Sequence, residues 1–184
     1  MKPLRTERLI LRNWEDRDRE LFHRINSDEQ VMEFFPMRRS RAEADALMDK
    51  LAAGIAENGF GLCAVEIADT GEVAGFTGLN ITNGLPVAED GVIEIGWRLA
   101  PEFWGKGIVT EASRCWRDFG FESLGLDRLI SFAVADNHRS TAVMRRIGMT
   151  PRPDLDFDHP IVPATHPHLK RHVFYEMSPD DPRS

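Results

Sequence analysis

The stretch VIEIGWRLAPEFWGKGIVTEA, residues 92–112, carries more structural information than any other part of the chain. Its apolar residues alternate over 92–99, which predicts a β-strand, and Gly105-Lys106-Gly107 predicts the start of an amphipathic helix after a short loop. A helix start leaves several backbone N–H groups unpaired and pointing the same way. Because glycine has no Cβ, an anion can approach such amides closely. We therefore predict a phosphate or pyrophosphate site at this turn.

Two common phosphate motifs do not fit this turn. A P-loop requires Ser or Thr after its lysine, whereas Lys106 is followed by Gly107 and Ile108. A dinucleotide fingerprint requires a third glycine where Thr110 stands, and it opens the first βα unit of a parallel sheet. A nucleotide-phosphate enzyme is therefore a weak alternative.

The same turn resembles the acyl-CoA loop of the GNAT superfamily of N-acetyltransferases, Gln/Arg-x-x-Gly-x-Gly/Ala. Gly105 and Gly107 match this pattern, and Glu102 takes the first position. The segments 101–107 and 110–112 resemble the branch that acetylates ribosomal-protein N-termini, in which a glutamate at the first position is ordinary.

Two further segments extend the resemblance to about residues 5–177. Residues 6–12, TERLILR, followed by Trp14 and Asp18, look like the opening strand and first helix of that branch. Residues 137–140, NHRS, which lead to Ile147-Gly148-Met149, are similar to the superfamily's Asn-x-x-Ser helix. The resemblance implies an α+β fold with a mixed, mostly antiparallel central sheet of six to seven strands and helices on both faces.

The order of the predicted elements also indicates an α+β fold with one mixed sheet. A capping box, Ser40 with Glu43, predicts a helix that ends near Gly59 and places Leu47, Leu51 and Ile55 on one stripe. Residues 151–171 show no period and are rich in proline, so we expect a loop that forms part of the acceptor-binding wall. The predicted strands are 8–13, 60–67, 73–80, 92–99, 128–135 and 172–177, and the other predicted helices are 15–26, 107–119 and 137–147.

Composition limits the classes of function. The chain has 184 residues and a formal net charge of −7, so we expect a single domain over 1–184 with a core at about 5–177 and a polar tail at 178–184. The acidic balance argues against nucleic acid and anionic membrane surfaces and is compatible with cationic acceptors.

No apolar run suits a membrane span or a signal peptide, which predicts the cytoplasm. Cys63 and Cys115 form no metal or redox motif, and Cys115 is expected to be a buried thiol. A monomer and a homodimer both remain open.

The resemblance implies acetyl-CoA as co-substrate and no metal. It implies that Asn137 binds the pantetheine arm and that Ser140 lies near the thioester sulfur; both residues are equally typical of a helix N-terminus. Gly96 suggests a bulge in a strand whose backbone N–H groups receive the developing oxyanion. Trp97 and Trp104 are also typical of a core or boundary position. The residues expected to contact acetyl-CoA are Trp97, Arg98, Leu99, Phe103, Trp104, Gly105, Lys106, Gly107, Ile108, Val109, Asn137 and Ser140.

Glu94 is the most readily placed general base. Alternation puts it with Val92, Gly96 and Arg98 on the face opposite the core residues of the strand. The alternative is a structural carboxylate bonded to the backbone or to Arg98. Three histidines of the 151–171 segment are alternative bases, although a loop histidine is usually solvated, and a metal site among them lacks an acidic partner. These are His159, His166 and His168.

The acceptor is expected to be a primary amine that attacks the thioester directly. Phe34, Phe35 and His159 are the predicted acceptor-binding residues, although a simple hydrophobic staple explains the two phenylalanines equally well. A protein N-terminal α-amine, with a pKa of about 7.7–8.0, is already partly deprotonated at neutral pH. The alternatives are a small-molecule amine, such as a polyamine, antibiotic or amino acid, and a non-catalytic acyl-CoA-binding domain.

Overall fold

A computed structural model describes residues 1–181 and confirms the α+β class. The tail predicted at 178–184 is therefore described only as far as Asp181, and residues 182–184 lie outside the described part. The strands are β1 (Leu4–Arg5), β2 (Leu9–Arg12), β3 (Leu62–Ile67), β4 (Val73–Thr82), β5 (Val92–Leu99), β6 (Leu129–Val134), β7 (Thr150–Pro151), β8 (Phe157–Asp158) and β9 (Arg171–Met177). The helices are α1 (Arg19–Ser27), α2 (Arg41–Asn58), α3 (Ile108–Asp118) and α4 (His138–Arg146).

The strands form one mixed, mostly antiparallel sheet, as predicted. Its order is β1-β2-β3-β4-β5-β6-β9-β7, with β8 also paired to β9, and in the described part of the chain only β5 and β6 run parallel. Residues 1–181 contribute nine strands to the sheet rather than six or seven. The difference comes from β1, β7 and β8, which have two residues each and are too short to show a sequence period.

Helices cover both faces of the sheet, as predicted. On one face α1 places Phe22 against Phe76 of β4, with ring centroids 6.0 Å apart. On the other face α3 places Ser113 against Thr77, and their hydroxyl oxygens are 3.4 Å apart. Since successive strand residues point to opposite faces, these two contacts assign α1 and α3 to opposite sides. Within residues 1–181, no helix is both long and apolar enough to cross a membrane.

The capping box of α2 is confirmed, and the predicted apolar stripe is buried only in part. Ser40 accepts a hydrogen bond from the Glu43 amide, and Gly59 ends the helix with φ 77°. The buried residues are Ala44, Met48 and Ile55, whereas Leu47 and Leu51 are half-buried and line a cleft. The apolar stripe of α2 therefore extends beyond its buried residues, and its outer edge lines the cleft.

Residues 151–171 are less irregular than predicted. Two short antiparallel pairings attach the segment to β9, with Thr150 opposite Glu176 and Phe157 opposite His172. The side chain of Phe157 is only 4% exposed. Isolated pairings of two residues leave no alternation in the sequence, which explains why the segment was predicted to be a loop.

The strands β5 and β6 part after a short parallel contact. Their only paired residues within the described chain are Glu94 and Ile130, and the Ser131 hydroxyl donates to the Ile95 carbonyl at 2.9 Å. The bulge predicted at Gly96 is wrong, because β5 pairs with β4 without interruption from Val92 to Leu99. The cleft instead arises because the segment of β5 after Ile95 has no neighbour on its β6 side.

Candidate functional site

A cleft of about 1770 Å³ opens where β5 and β6 part, and it brings together nearly all the predicted site residues. Lys106 is the exception, since its side chain lies over the Phe103 ring, 5.4 Å from the ring centroid. The predicted residues that line the cleft are Phe34, Phe35, Glu94, Trp97, Arg98, Leu99, Phe103, Trp104, Gly105, Gly107, Ile108, Val109, Asn137, Ser140 and His159.

One end of the cleft is the predicted anion site. Gly105 and Gly107 have φ angles of 73° and 77°, in the left-handed region that glycine tolerates best, and Gly107 precedes the first residue of α3. No side chain caps α3, so its first amides face the cleft without a side-chain partner. Ile108 as a whole is only 4% exposed and belongs to the hydrophobic core.

Basic side chains flank this end of the cleft. The Arg8 guanidinium lies 3.6 Å from the position that a Gly107 Cβ would occupy, and it donates to the Lys106 carbonyl at 3.2 Å. Glu111 holds Arg8 in place through a 2.6 Å ion pair. Arg114 also lines the cleft, with a buried Nε that lacks a partner. Amides at a helix start together with cations fit the pyrophosphate of an acyl-CoA.

Glu102, which departs from the acyl-CoA pattern, points away from these amides. Its carboxylate pairs with Arg24 of α1 at 2.5 Å, and this hydrogen bond lowers the pKa of Glu102. The negative charge is therefore neutralised outside the cleft. A glutamate at this position is therefore compatible with the predicted anion site.

The start of α4 forms the opposite wall. Asn137 Oδ1 accepts a hydrogen bond from the Ser140 amide at 3.1 Å, so Asn137 is the N-cap of the helix. Its side-chain NH₂ group remains available to a ligand, and both residues are half-buried in the cleft wall. Arg139 lies over the Trp104 ring, 4.4 Å from its centroid, and pairs with Glu33 at 2.8 Å. These contacts connect α4 across the cleft to the loop before α2.

Glu94 is partly buried in the middle of the cleft. Its Oε2 accepts a hydrogen bond from the Thr82 hydroxyl at 3.0 Å. Burial raises the pKa of Glu94 to about 7, although hydrogen bonds from Thr82 and Asn80 lower it somewhat. The alternative in which Glu94 binds Arg98 is wrong, because Arg98 donates to Asn26 instead. Thr82 was missed because the predicted strand ended at Asn80.

His159 lies near Glu94 but is a much weaker base. Both side chains line a smaller cavity of about 290 Å³ beside the main cleft. Burial and the charge of His172, whose ring centroid is 4.9 Å away, lower the pKa of His159 to about 4. His166 and His168 line neither cavity. Among residues 1–181, no three His, Cys, Asp or Glu side chains are grouped closely enough to hold a metal ion.

Cys115 is not the buried thiol that the sequence predicted. It is half-buried and lines the main cleft, because α3 turns this edge toward the opening. Burial raises the pKa of its thiol, with further contributions from Asp118 and Glu111. The thiol is therefore mainly protonated at neutral pH and is a poor nucleophile.

The end of the cleft where we expect the acceptor to bind, called the acceptor end below, combines aromatic side chains with an arginine. The Arg98 guanidinium lies 4.2 Å from the Phe35 ring centroid and 5.2 Å from that of Phe76. Apolar side chains at the rim are unusually exposed, with Phe35 at 38%, Met37 at 48% and Ile161 at 78%. The first two belong to the loop before α2, and Ile161 belongs to the 151–171 segment, so two distant segments form this rim.

Comparison with known proteins gives the chain a family. The sequence model of the acetyltransferase (GNAT) domain matches residues 8–150. The uncharacterised N-acetyltransferase p20 of Bacillus licheniformis is 31% identical over 153 residues, which cover 80% of this chain and 82% of that protein. The putative ribosomal N-acetyltransferase YdaF of Bacillus subtilis is 47% identical over 55 residues, 30% of each chain.

A solved structure shows the same fold. The microcin C7 self-immunity acetyltransferase MccE, crystallised with acetyl-CoA and AMP, aligns with a TM-score of 0.72 and 16% identity, covering 94% of this chain and 93% of that one. The family match extends over most of the chain and includes both walls of the cleft. The chain therefore belongs to the GNAT superfamily, whose members are acyltransferases that move an acetyl group from acetyl-CoA to an amine.

Proposed function

We propose that this chain transfers the acetyl group of acetyl-CoA to an α-amine, with Glu94 as general base. The observation that carries the proposal is a carboxylate with a pKa of about 7 beside the gap between β5 and β6. A general base works best when its pKa lies near the operating pH. His159, with a pKa of about 4, meets this condition far less well.

The pKa of Glu94 also favours one class of amine. An α-ammonium has a pKa of about 7.7–8.0, so proton transfer to Glu94 is uphill by about one pKa unit. A lysine-like ammonium, with a pKa of about 10.4, makes the same transfer uphill by more than three units, or about 4–5 kcal/mol. A protein or peptide N-terminus is therefore the preferred acceptor. The ribosomal name of one relative supports this choice.

The reaction is a direct attack in one active site. The amine nitrogen attacks the thioester carbonyl carbon, a C–N bond forms, and the tetrahedral species collapses with cleavage of the C–S bond. Glu94 accepts the proton that the nitrogen loses, directly or through water. The Ser140 hydroxyl donates a hydrogen bond to the sulfur, which leaves as a thiolate and then takes up a proton. Backbone N–H groups of 96–99 on the open side of β5 stabilise the carbonyl oxygen as it gains charge.

The cleft supplies binding groups for the rest of the co-substrate. The amides at the start of α3, with Arg8 beside them, would hold the pyrophosphate, and the Asn137 NH₂ group would hold the pantetheine arm. Because the Cys115 thiol is protonated at neutral pH, an acetyl-cysteine intermediate is disfavoured.

The test is an amine panel with detection of free CoA. Peptides with a free N-terminus, a lysine-like amine, a polyamine, an aminoglycoside and free amino acids would each be offered with acetyl-CoA. We expect α-amines to give the highest kcat/KM. Double-reciprocal plots of the initial rates should give intersecting rather than parallel lines. The enzyme should carry no acetyl group after incubation with acetyl-CoA alone. Binding of acetyl-CoA without turnover of any amine would identify a non-catalytic acyl-CoA-binding domain.

A further inference from the structure

Arg98 has an unusual environment for a guanidinium. Its Nη1 donates to Asn26 Oδ1 at 2.5 Å, and its Nε is buried without a partner. Burial, together with the charge of Arg39, lowers the pKa of Arg98 to about 10. Within residues 1–181 no carboxylate forms an ion pair with Arg98.

Arg39 repeats this pattern from another segment. Its side chain lines the same cleft, and its Nε is also buried without a partner. Its backbone N–H donates to the Asn26 carbonyl at 2.9 Å, so Arg39 and Arg98 meet at the same residue of α1. In the described chain Arg39 has no ion pair either. Two positive charges therefore lie together in the cleft wall, and among residues 1–181 neither has a carboxylate within ion-pair distance.

Arg12 shows how this protein otherwise accommodates a buried guanidinium. Its side chain is 8% exposed and pairs with Asp18 at 2.7 Å and with Glu66 at 2.6 Å. A charge removed from water without a counterion is costly, which explains these two carboxylates. The chain has a net charge of −7 and carboxylates in excess, yet among residues 1–181 none forms an ion pair with Arg39 or Arg98. The charge of Arg39 acts only from a distance on Glu43, whose carboxylate is bonded to Ser40. This pair is therefore arranged for an anion from outside the chain.

The position of the pair relates it to the acceptor. Arg98 and Glu94 point to the same face of β5, four residues and about 13 Å apart along the strand. Gly96 lies between them, and the atoms closest to the position of an added Cβ are Leu62 Cδ2 at 3.7 Å and Glu94 Oε1 at 3.8 Å. The absence of a side chain at Gly96 leaves room for a ligand that extends from Glu94 toward Arg98.

We propose that Arg39 and Arg98 form an anion subsite for the acceptor, so that the acceptor is an amine carrying a carboxylate or phosphate several bonds from its nitrogen. The inference rests on the proposed function, because it takes Glu94 to mark where the amine reacts. A guanidinium binds both anions through paired hydrogen bonds, so the two are distinguished by experiment.

Matched acceptors test the subsite. We would compare kcat/KM within pairs of peptides that differ in one anionic group. The pairs are Glu and Gln at the second residue, a free and an amidated C-terminus, and phosphoserine and serine. We expect wild type to prefer one anionic member by about tenfold or more, as for a charge-assisted hydrogen bond of about 1.5–3 kcal/mol. Arg39→Gln should reduce that preference toward unity, with kcat/KM for the neutral member and the Kd for CoA nearly unchanged. Arg98→Gln should reduce the same preference. Arg145→Gln, which removes an exposed arginine outside the cleft, should retain the preference.

The outcomes separate the two proposals. The subsite proposal is overturned if wild type uses the anionic and the neutral acceptor of every pair equally well, or if Arg39→Gln keeps the wild-type preference. In either case the proposal of acetyl transfer stands. If no amine is acetylated, the transfer proposal fails, and the subsite is judged by calorimetry with glutarate and with inorganic phosphate on the CoA-loaded protein. Binding by wild type that Arg39→Gln abolishes supports the subsite, and no binding overturns it. A melting curve for Arg98→Gln shows whether the contacts of Arg98 with Phe35 and Phe76 are needed for folding. If Arg98→Gln does not fold, the subsite is judged from Arg39→Gln alone.

Discussion

The two ends of the cleft are built in different ways. The phosphate end comes almost entirely from one continuous segment, β5 through the first turn of α3, and offers mainly backbone amides. The acceptor end comes from the loop before α2, the middle of β4 and β5, β6 and the 151–171 segment, and offers side chains. In the proposed function, local backbone geometry therefore binds the co-substrate, whereas the packing of distant segments selects the acceptor.

The electrostatics of the two ends differ in the same way. At the phosphate end the cations are partly exposed, as for Arg8, whose side chain is 50% exposed. At the acceptor end burial shifts three pKa values away from their ordinary range, upward for Glu94 and downward for His159 and Arg98. Because perturbed titratable groups cluster at functional sites, proton transfer is expected at this end.

The largest expected effect tests whether Glu94 at the acceptor end is the general base. Glu94→Gln should lower kcat/KM by about 10²–10³-fold and flatten the ascending limb of the pH profile, because glutamine cannot take up a proton. The measurement is kcat/KM from pH 5 to 9 with two acceptors of different amine pKa. A limb that moves wholly with the acceptor, in a Glu94→Gln enzyme that remains active, would exclude Glu94 as the base.

The next effect concerns the wall formed by α4. Ser140→Ala should lower kcat by about 10²-fold or less and leave the KM for acetyl-CoA nearly unchanged, because a bond to sulfur strengthens only as the thiolate forms. The N-cap bond remains in this variant, since it uses the Ser140 backbone amide. Steady-state kinetics at saturating acceptor provide the measurement. An unchanged kcat would make Ser140 a residue of the helix start only.

A smaller effect tests the phosphate end. Gly107→Val should weaken CoA binding by about tenfold or more, because a left-handed backbone costs a branched residue about 1–2 kcal/mol or more and the side chain would crowd Arg8. Gly125→Val is the matched control, with a similar φ of 65° and nothing within 4 Å of an added Cβ. Calorimetry should show weaker binding only in the first variant, while both unfold cooperatively. Equal CoA affinity in Gly107→Val would refute the placement of the pyrophosphate.

The last expected effect concerns stability rather than turnover. Burial raises the pKa of Glu94 from 4.5 to about 7 in the folded state. Its protonated form therefore contributes stability that is fully present below pH 4.5 and is lost as the pH rises through 7. Glu94→Gln does not titrate, so wild type should lose about 2 kcal/mol relative to this variant between pH 4.5 and pH 9. Parallel thermal melts at several pH values measure the difference; a constant gap would show that Glu94 is not desolvated.

The predictions from sequence succeeded where neighbouring residues define the structure. The alternation of 92–99, the Ser40 capping box and the Asn137 helix start all appear as expected, because each depends on contacts within a few residues. The Gly96 bulge was predicted wrongly, the stripe of α2 is buried only in part, and the short pairings within 151–171 were missed. Each of these depends on which distant strand or helix lies alongside.

The sequence was sufficient to establish the strand–glycine–helix turn, the family and the position of Glu94 on the open face of β5. The alternation of β5 and the glycines before α3 are local signals, and they can be recognised without knowledge of the residues that pack against them. Only the tertiary structure revealed the parting of β5 from β6, the opposite pKa shifts of Glu94 and His159, and the unpaired arginines beside Asn26. These features arise from desolvation and from contacts between segments far apart in the chain, and no periodicity in the sequence records them.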